Sequence, residues 1–108
     1  MNYDIEILFV AGCPRLQVAF DRAEQAVAAL GLDSAVKIAV REVRSLEEAV
    51  DLGFFGSPSI HVNGRDVELN ASDRTDVGLH CRLYRVDGRP DEAPPVEWIK
   101  AAIVRADR

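Results

Sequence analysis

Cysteine, histidine and basic charge are all in short supply in this chain, and each shortage excludes something. Two cysteines, Cys13 and Cys81, are too few for a disulfide scaffold or a thiolate zinc cage. The two histidines, His61 and His80, complete no ligand pair at a workable spacing, so no metal site is expected and they read as polar surface residues. There is no Gly-rich phosphate loop, no Ser/His/Asp set and no carboxylate pair with a readable role, and no cofactor is expected. No apolar run approaches the length of a membrane span, so a membrane is not an expected partner. Lysine and arginine total 13 against 18 acidic residues, a net charge of -5. The basic residues are interspersed with acids, which leaves no stripe for gripping nucleic acid. Met1-Asn2-Tyr3-Asp4 lacks a basic region followed by an apolar segment, so no secretory signal is expected and a reducing, cytoplasmic setting is. Without such a signal the sequon Asn70-Ala71-Ser72 is chance.

What is present is an ordinary globular composition, 48% hydrophobic and 29% charged over 108 residues. That length supports one domain, residues 1–108, around a single core. Tyr3 to Val10 reads as a strand, apolar on both faces towards its end and therefore central in a sheet. Pro14 to Leu30 reads as a helix with an apolar stripe of Leu16, Phe20, Ala23, Val27 and Leu30, stopped by Gly31. Ala35 to Val43 alternates Val36, Ile38 and Val40 with more polar neighbours, as a half-exposed edge strand does. Strand, helix, strand in this order is a crossover unit with parallel strands.

Further along, Ser45 and Glu48 form a capping box for a short helix ending at Gly53. Phe54 and Phe55 are expected in the core. Gly56-Ser57-Pro58-Ser59 leads into a strand at Ile60-His61-Val62, and Asn63-Gly64 is a hairpin signal. Two return strands are open, Arg65 to Leu69 or Arg82 to Val86. The second is preferred, because Leu83 and Val86 flank an aromatic in a β-rich run. Asp87-Gly88 then turns, and a last helix runs from Val96 to Ala106 with Trp98, Ile99, Ala102 and Ile103 buried.

The stretch Phe9 to Leu16 carries the chemistry. A strand ends, a turn presents Cys13, and a helix follows. Pro14 suits the first helical position, which places Cys13 at or next to the N-cap. There the helix dipole and free N–H groups favour an anion, and the Arg15 guanidinium adds to the effect. A cysteine so placed is expected to be a nucleophile near neutral pH. The competing reading is a small apolar residue at a strand end. Arg82, Arg85 and Arg89 offer a small basic face for an anionic ligand such as glutathione, unless they pair with Asp73, Asp76 and Asp87.

The order of elements, with Gly12-Cys13-Pro14-Arg15-Leu16 and Gly56-Ser57-Pro58-Ser59, resembles the thioredoxin-like superfamily. More narrowly, Gly78-Leu79-His80-Cys81-Arg82-Leu83-Tyr84 is similar to a segment of small bacterial thioredoxin-like proteins, some labelled alkylmercury lyase-like. The resemblance implies an α/β fold, a mixed four-stranded sheet flanked by about three helices. It also implies a cis peptide at Pro58, shaping a substrate groove beside Cys13. Ser57 N–H and C=O would there pair with an extended substrate segment. Pro14, Arg15 and Ser57 are the expected substrate-binding residues, and Cys13, Pro58 and Cys81 the expected catalytic ones.

One departure from that pattern matters. Thioredoxins carry Cys-x-x-Cys, whereas Leu16 stands at the second cysteine position here, leaving a one-cysteine motif. Cys81 is the internal candidate for a resolving thiol. At the start of a fourth strand it would lie a strand length away, roughly 17 Å, too far to bridge without rearrangement. The alternative is that Cys81 is a buried structural thiol and an external thiol completes the cycle. The expected function is thiol–disulfide exchange or thiol carriage through Cys13, with glutathione or a thiol/disulfide protein as partner. A non-catalytic binding module and a soft-metal (mercury) thiol protein are the alternatives.

Overall fold

The computed structural model describes residues 3–106. The outermost positions of the 1–108 domain expectation, and the first two of the tetrapeptide Met1-Asn2-Tyr3-Asp4, lie outside the described residues.

Four strands form a mixed sheet. They are β1 (Tyr3–Phe9), β2 (Val36–Glu42), β3 (Ser59–Val62) and β4 (Arg65–Asp66), in the order β2-β1-β3-β4. β1 runs parallel to β2, from Tyr3 opposite Val36 to Phe9 opposite Glu42. It runs antiparallel to β3, from Ile5 opposite Val62 to Leu8 opposite Ser59. Three helices flank the sheet among the described residues: α1 (Leu16–Ala29), α2 (Leu46–Leu52) and α3 (Val96–Ala106). No helix among the described residues is long and apolar enough to cross a membrane.

The two-residue period of β1 divides its side chains between two cores. Tyr3, Ile5 and Ile7 join Ile60 and Val62 of β3 under α1 and α3. Leu8 points the other way, to Val43, Ala49 of α2 and Phe54. On α1 the fully buried positions are Ala19, Ala23, Ala26 and Val27. The expected stripe residues Leu16, Phe20 and Leu30 are only partly buried against this core. Alanines at these positions let the helix backbone approach the sheet, and the larger side chains fill the flanks. Arg22 anchors α1 to the chain entering α3, donating to Asp91 Oδ1 at 2.9 Å and Ala93 O at 2.8 Å. α2 begins where expected: Ser45 Oγ accepts from Glu48 N at 3.1 Å. Glu48 reaches one residue beyond the usual box and accepts from Arg44 N at 2.7 Å.

The return strand differs from the preferred reading. Asn63 and Gly64 both adopt positive φ, 50° and 82°, which makes a two-residue turn of the type that matches strand twist. It sends the chain straight back, with Arg65 opposite Val62. The fourth strand is therefore Arg65–Asp66. It is short because the Asp66 carboxylate turns inward and accepts from Glu68 N at 2.9 Å. Tyr84–Val86 (β5) instead pairs with Arg89–Asp91 (β6) in a separate hairpin around Asp87-Gly88.

The second face of β3 and β4 is polar. Ser59 and His61 point there from β3, and Asp66 from β4. Arg82 covers them, 1% exposed, which overturns its expected place on an exposed basic face with Arg85 and Arg89. Its partners are Asp66 (Nη1 to Oδ2 2.6 Å, Nη2 to Oδ1 3.1 Å), Ser59 Oγ at 2.9 Å and Glu68 Oε1 at 2.5 Å. They are not the aspartates 73, 76 and 87 nearer in sequence. The guanidinium also lies 4.4 Å from the centroid of the Tyr84 ring. Burial alone opposes the charge, but the Asp66 hydrogen bonds and the neighbouring Tyr84 and Glu68 outweigh it and hold Arg82 firmly protonated.

Removing one member of a buried, bidentate pair leaves the other desolvated and alone, which typically costs about 3–5 kcal/mol. Arg82→Met is therefore expected to lower unfolding free energy by about 3 kcal/mol in urea titrations. Arg82→Lys is expected to recover only part of it, since an ammonium cannot repeat the two-pronged contact.

Candidate functional site

The site forms at the C-terminal end of β1, where three stretches meet at Ser57. The first is the β1–α1 turn. Cys13 N donates to Val10 O at 3.1 Å, closing a four-residue turn with Gly12 at φ 78°, a left-handed position that glycine occupies without steric cost. Cys13 is a free thiol of intermediate exposure. The helix starts later than expected. Arg15 is its N-cap, and Arg15 O receives the first helical hydrogen bond, from Ala19 N at 3.1 Å. Cys13 thus lies two residues ahead of the N-cap and Pro14 ahead of the first helical residue, because the tight turn must close before the helix begins. Dipole effects fall off over that distance.

The second stretch is Gly56 to Ser59. The Ser57–Pro58 peptide bond is cis, and Ser57, Pro58 and Ser59 are buried. Ser57 Oγ accepts from Val10 N at 3.1 Å, fastening this segment to the turn that carries Cys13. Pro58 O accepts from the Tyr84 hydroxyl. Burial pushes the Tyr84 phenol well above its ordinary value, so it remains a proton donor.

The third stretch is His80 to Arg82, and it corrects three expectations. Ser57 N donates to His80 O at 2.8 Å, and Arg82 N donates to Ser57 O at 2.9 Å. Ser57 and Cys81 are therefore partners in a parallel β-bridge. The backbone groups of Ser57 expected to receive a substrate segment are already engaged by the protein's own chain. Cys81 is exposed, not a buried structural thiol. It also lies beside Ser57 rather than at the far end of a fourth strand. The reason is the path of residues 67–80, which turn back on themselves and deliver Cys81 to the edge of the Ser57 segment. Arg74 closes that excursion, bonding to Asp76 and, at 3.0 Å, to Glu68. The Arg74 hydrogen bond holds the Asp76 carboxyl down at about 2.

Gly56 is required for the close approach. A Cβ there would meet His80 Nδ1 at 2.8 Å and Arg82 Cβ at 2.9 Å. Arg15 adds a long hydrogen bond, Nη1 to Arg82 O at 3.5 Å, tying the start of α1 to the same strip. Of the six expected site residues, Cys13, Arg15, Ser57, Pro58 and Cys81 are joined by this network. Pro14 is exposed beside it, with no contact that marks it as substrate-binding.

Sequence reading missed the support beneath the strip. Ser59, Asp66 and Glu68 hold Arg82, and Arg82 holds Cys81 against Ser57. The signal was present in part: Ser59 and His61 alternate with Ile60 and Val62, which puts two polar side chains on one face of a buried strand. His61 is 4% exposed. Its Nε2 has no hydrogen-bond partner among the described residues and lies 3.8 Å from Asp66 Oδ2. Desolvation lowers its pKa below the ordinary 6.5, against the pull of Asp66 and Glu6 and together with that of Arg82.

An open groove is lined by Phe55, His61, Asn63, Asp66, Leu69 and Arg105, among others, and contains neither cysteine. Among the described residues no group of three or more His, Cys, Asp or Glu is placed to hold a metal ion. No protein-family model, no curated protein and no solved structure matches the chain.

Because folded His61 resists protonation while unfolded His61 accepts a proton near 6.5, the stability it contributes is present above that pH and lost as pH falls below it. The slope approaches about 1.4 kcal/mol per pH unit at most. Urea unfolding midpoints measured from neutral pH down to mildly acidic pH are expected to fall, and His61→Gln is expected to flatten that decline.

Proposed function

We propose that this chain is a thioredoxin-like thiol–disulfide oxidoreductase or thiol carrier in which Cys13 is the nucleophile. The observation that carries the reading is the placement of the Cys13 turn. A half-exposed thiol stands at the end of the central strand, in a turn pinned through Val10 to Ser57, next to the cis Ser57–Pro58 bond. The strand–turn–helix setting and the mixed sheet order are consistent with the thioredoxin resemblance. Leu16 at the second motif position packs against the core and supplies no thiol.

In the proposed reaction the Cys13 thiolate attacks one sulfur of a disulfide. A Cys13–S–S–R bond forms and RS⁻ leaves. Arg15 places positive charge beside the turn, where it attracts an anionic substrate such as a glutathionyl group. Thiols of a reducing compartment, such as the cytoplasm, then regenerate Cys13.

A second reading is a non-catalytic binding module. It is favoured by one specific observation: Leu16, at the second motif position, packs against the core and leaves Cys13 without a partner thiol within the motif.

The discriminating measurement is catalysed reduction of a small disulfide by glutathione. The wild-type chain is expected to accelerate it, and Cys13→Ser to return the rate to the uncatalysed background. Far-UV circular dichroism and melting temperature should be unchanged, because the side chain of Cys13 anchors no part of the fold. Full turnover in Cys13→Ser, or none in the wild type, refutes the oxidoreductase reading.

A further inference from the structure

Cys81 is held against Ser57 far more firmly than an exposed loop cysteine needs. Main-chain bonds flank it on both sides, from His80 O and Arg82 N to Ser57. The next residue, Arg82, is locked by Asp66, Ser59 and Glu68. Partners in a β-bridge project their side chains to the same face of neighbouring strands, which lie about 4.8 Å apart. Cys81 therefore shares a face with the Ser57 side chain, and Ser57 Oγ is bonded to the N–H of Val10, the residue whose carbonyl closes the Cys13 turn. Both cysteines are free and neither is fully buried.

We propose that Cys81 is the resolving thiol for Cys13, and that the oxidising substrate is a low-molecular-weight disulfide rather than an extended peptide. The inference rests on the reading of Cys13 as the nucleophile. The strip 80–82 occupies the backbone positions that an extended peptide would take, and it presents in their place a cysteine belonging to the protein itself. After the first exchange has formed Cys13–S–S–R and released RS⁻, the Cys81 thiolate attacks Cys13 Sγ. A Cys13–Cys81 bond forms, the Cys13–S–R bond breaks, and a second RS⁻ leaves. The substrate disulfide is reduced to two thiols, and the two cysteines are oxidised to one disulfide. Two equivalents of an external thiol reverse the process.

The test uses the full reduced chain, glutathione disulfide as the probe, acid quenching, and intact-mass and peptide mapping. The wild type is expected to lose two hydrogens, carry a Cys13–Cys81 bridge, and show only traces of glutathionyl adduct at any protein concentration. Cys81→Ser is expected to accumulate a near-stoichiometric adduct on Cys13. Lasting glutathionylation of Cys13 in the wild type with Cys81 still free overturns the resolving role and leaves the nucleophile reading standing, and so does a disulfide between two chains. Absence of any adduct on Cys13 in Cys81→Ser overturns both. An unstructured peptide disulfide that oxidises the wild type faster than glutathione disulfide does overturns the substrate class.

Discussion

The Arg82–Asp66 contact is the interaction on which the rest of the site depends. A guanidinium at 1% exposure is tolerable only because two of its nitrogens meet the two oxygens of one carboxylate, with Ser59 and Glu68 taking further protons. Buried ion pairs of this kind add little net stability over a well-packed apolar substitute, since desolvation cancels much of the attraction. Their effect is positional. An apolar residue at 82 would be satisfied by many arrangements over the face of β3 and β4, whereas the fork of Arg82 has one. That single arrangement fixes where residues 80–82 lie, and with them Cys81.

From that anchor the geometry propagates through main-chain bonds. Ser57 receives the strip on one side and the β1–α1 turn on the other, so a single buried serine links both cysteine-bearing segments. Gly56 permits the contact by presenting no Cβ to His80 and Arg82. Tyr84 closes the arrangement by donating to Pro58 O while its ring faces the guanidinium and meets Trp98 edge-on at 6.1 Å. The polar layer replaces what would otherwise be an apolar core on this face of β3. The ordinary apolar packing is confined to the α1/α3 side and to the small cluster under α2. The same layer leaves His61 neutral and without a hydrogen-bond partner among the described residues, which is why it couples stability to pH.

Local signals were legible wherever the chemistry is local. The Asn63-Gly64 turn, the Ser45 cap, the Gly53 stop and the span of α3 follow from residues within a few positions of one another. Side-chain burial on α1 was less legible, because the choice between alanine and larger residues for the sheet-facing line depends on how closely helix and sheet approach. The fourth strand differs from the expected one for another reason: Leu83, Tyr84 and Val86 have strand composition, but the Asp87-Gly88 turn directly behind them gives them a partner of their own. β6, three residues on, is that partner.

The sequence by itself determined the alternation of strands and helices, the turn that presents Cys13, and the polar–apolar alternation of Ser59-Ile60-His61-Val62. These are properties of backbone sterics, capping and two- or 3.6-residue periodicity. Only the tertiary structure decided the surroundings of that cysteine. The bonds that place Cys81 beside Ser57 span 23 to 25 positions, His80 O to Ser57 N and Arg82 N to Ser57 O. Those that bury Arg82 span 14 to 23, to Glu68, Asp66 and Ser59. Over such separations the outcome depends on which desolvated charge finds a partner in the packed interior, and no local pattern encodes that.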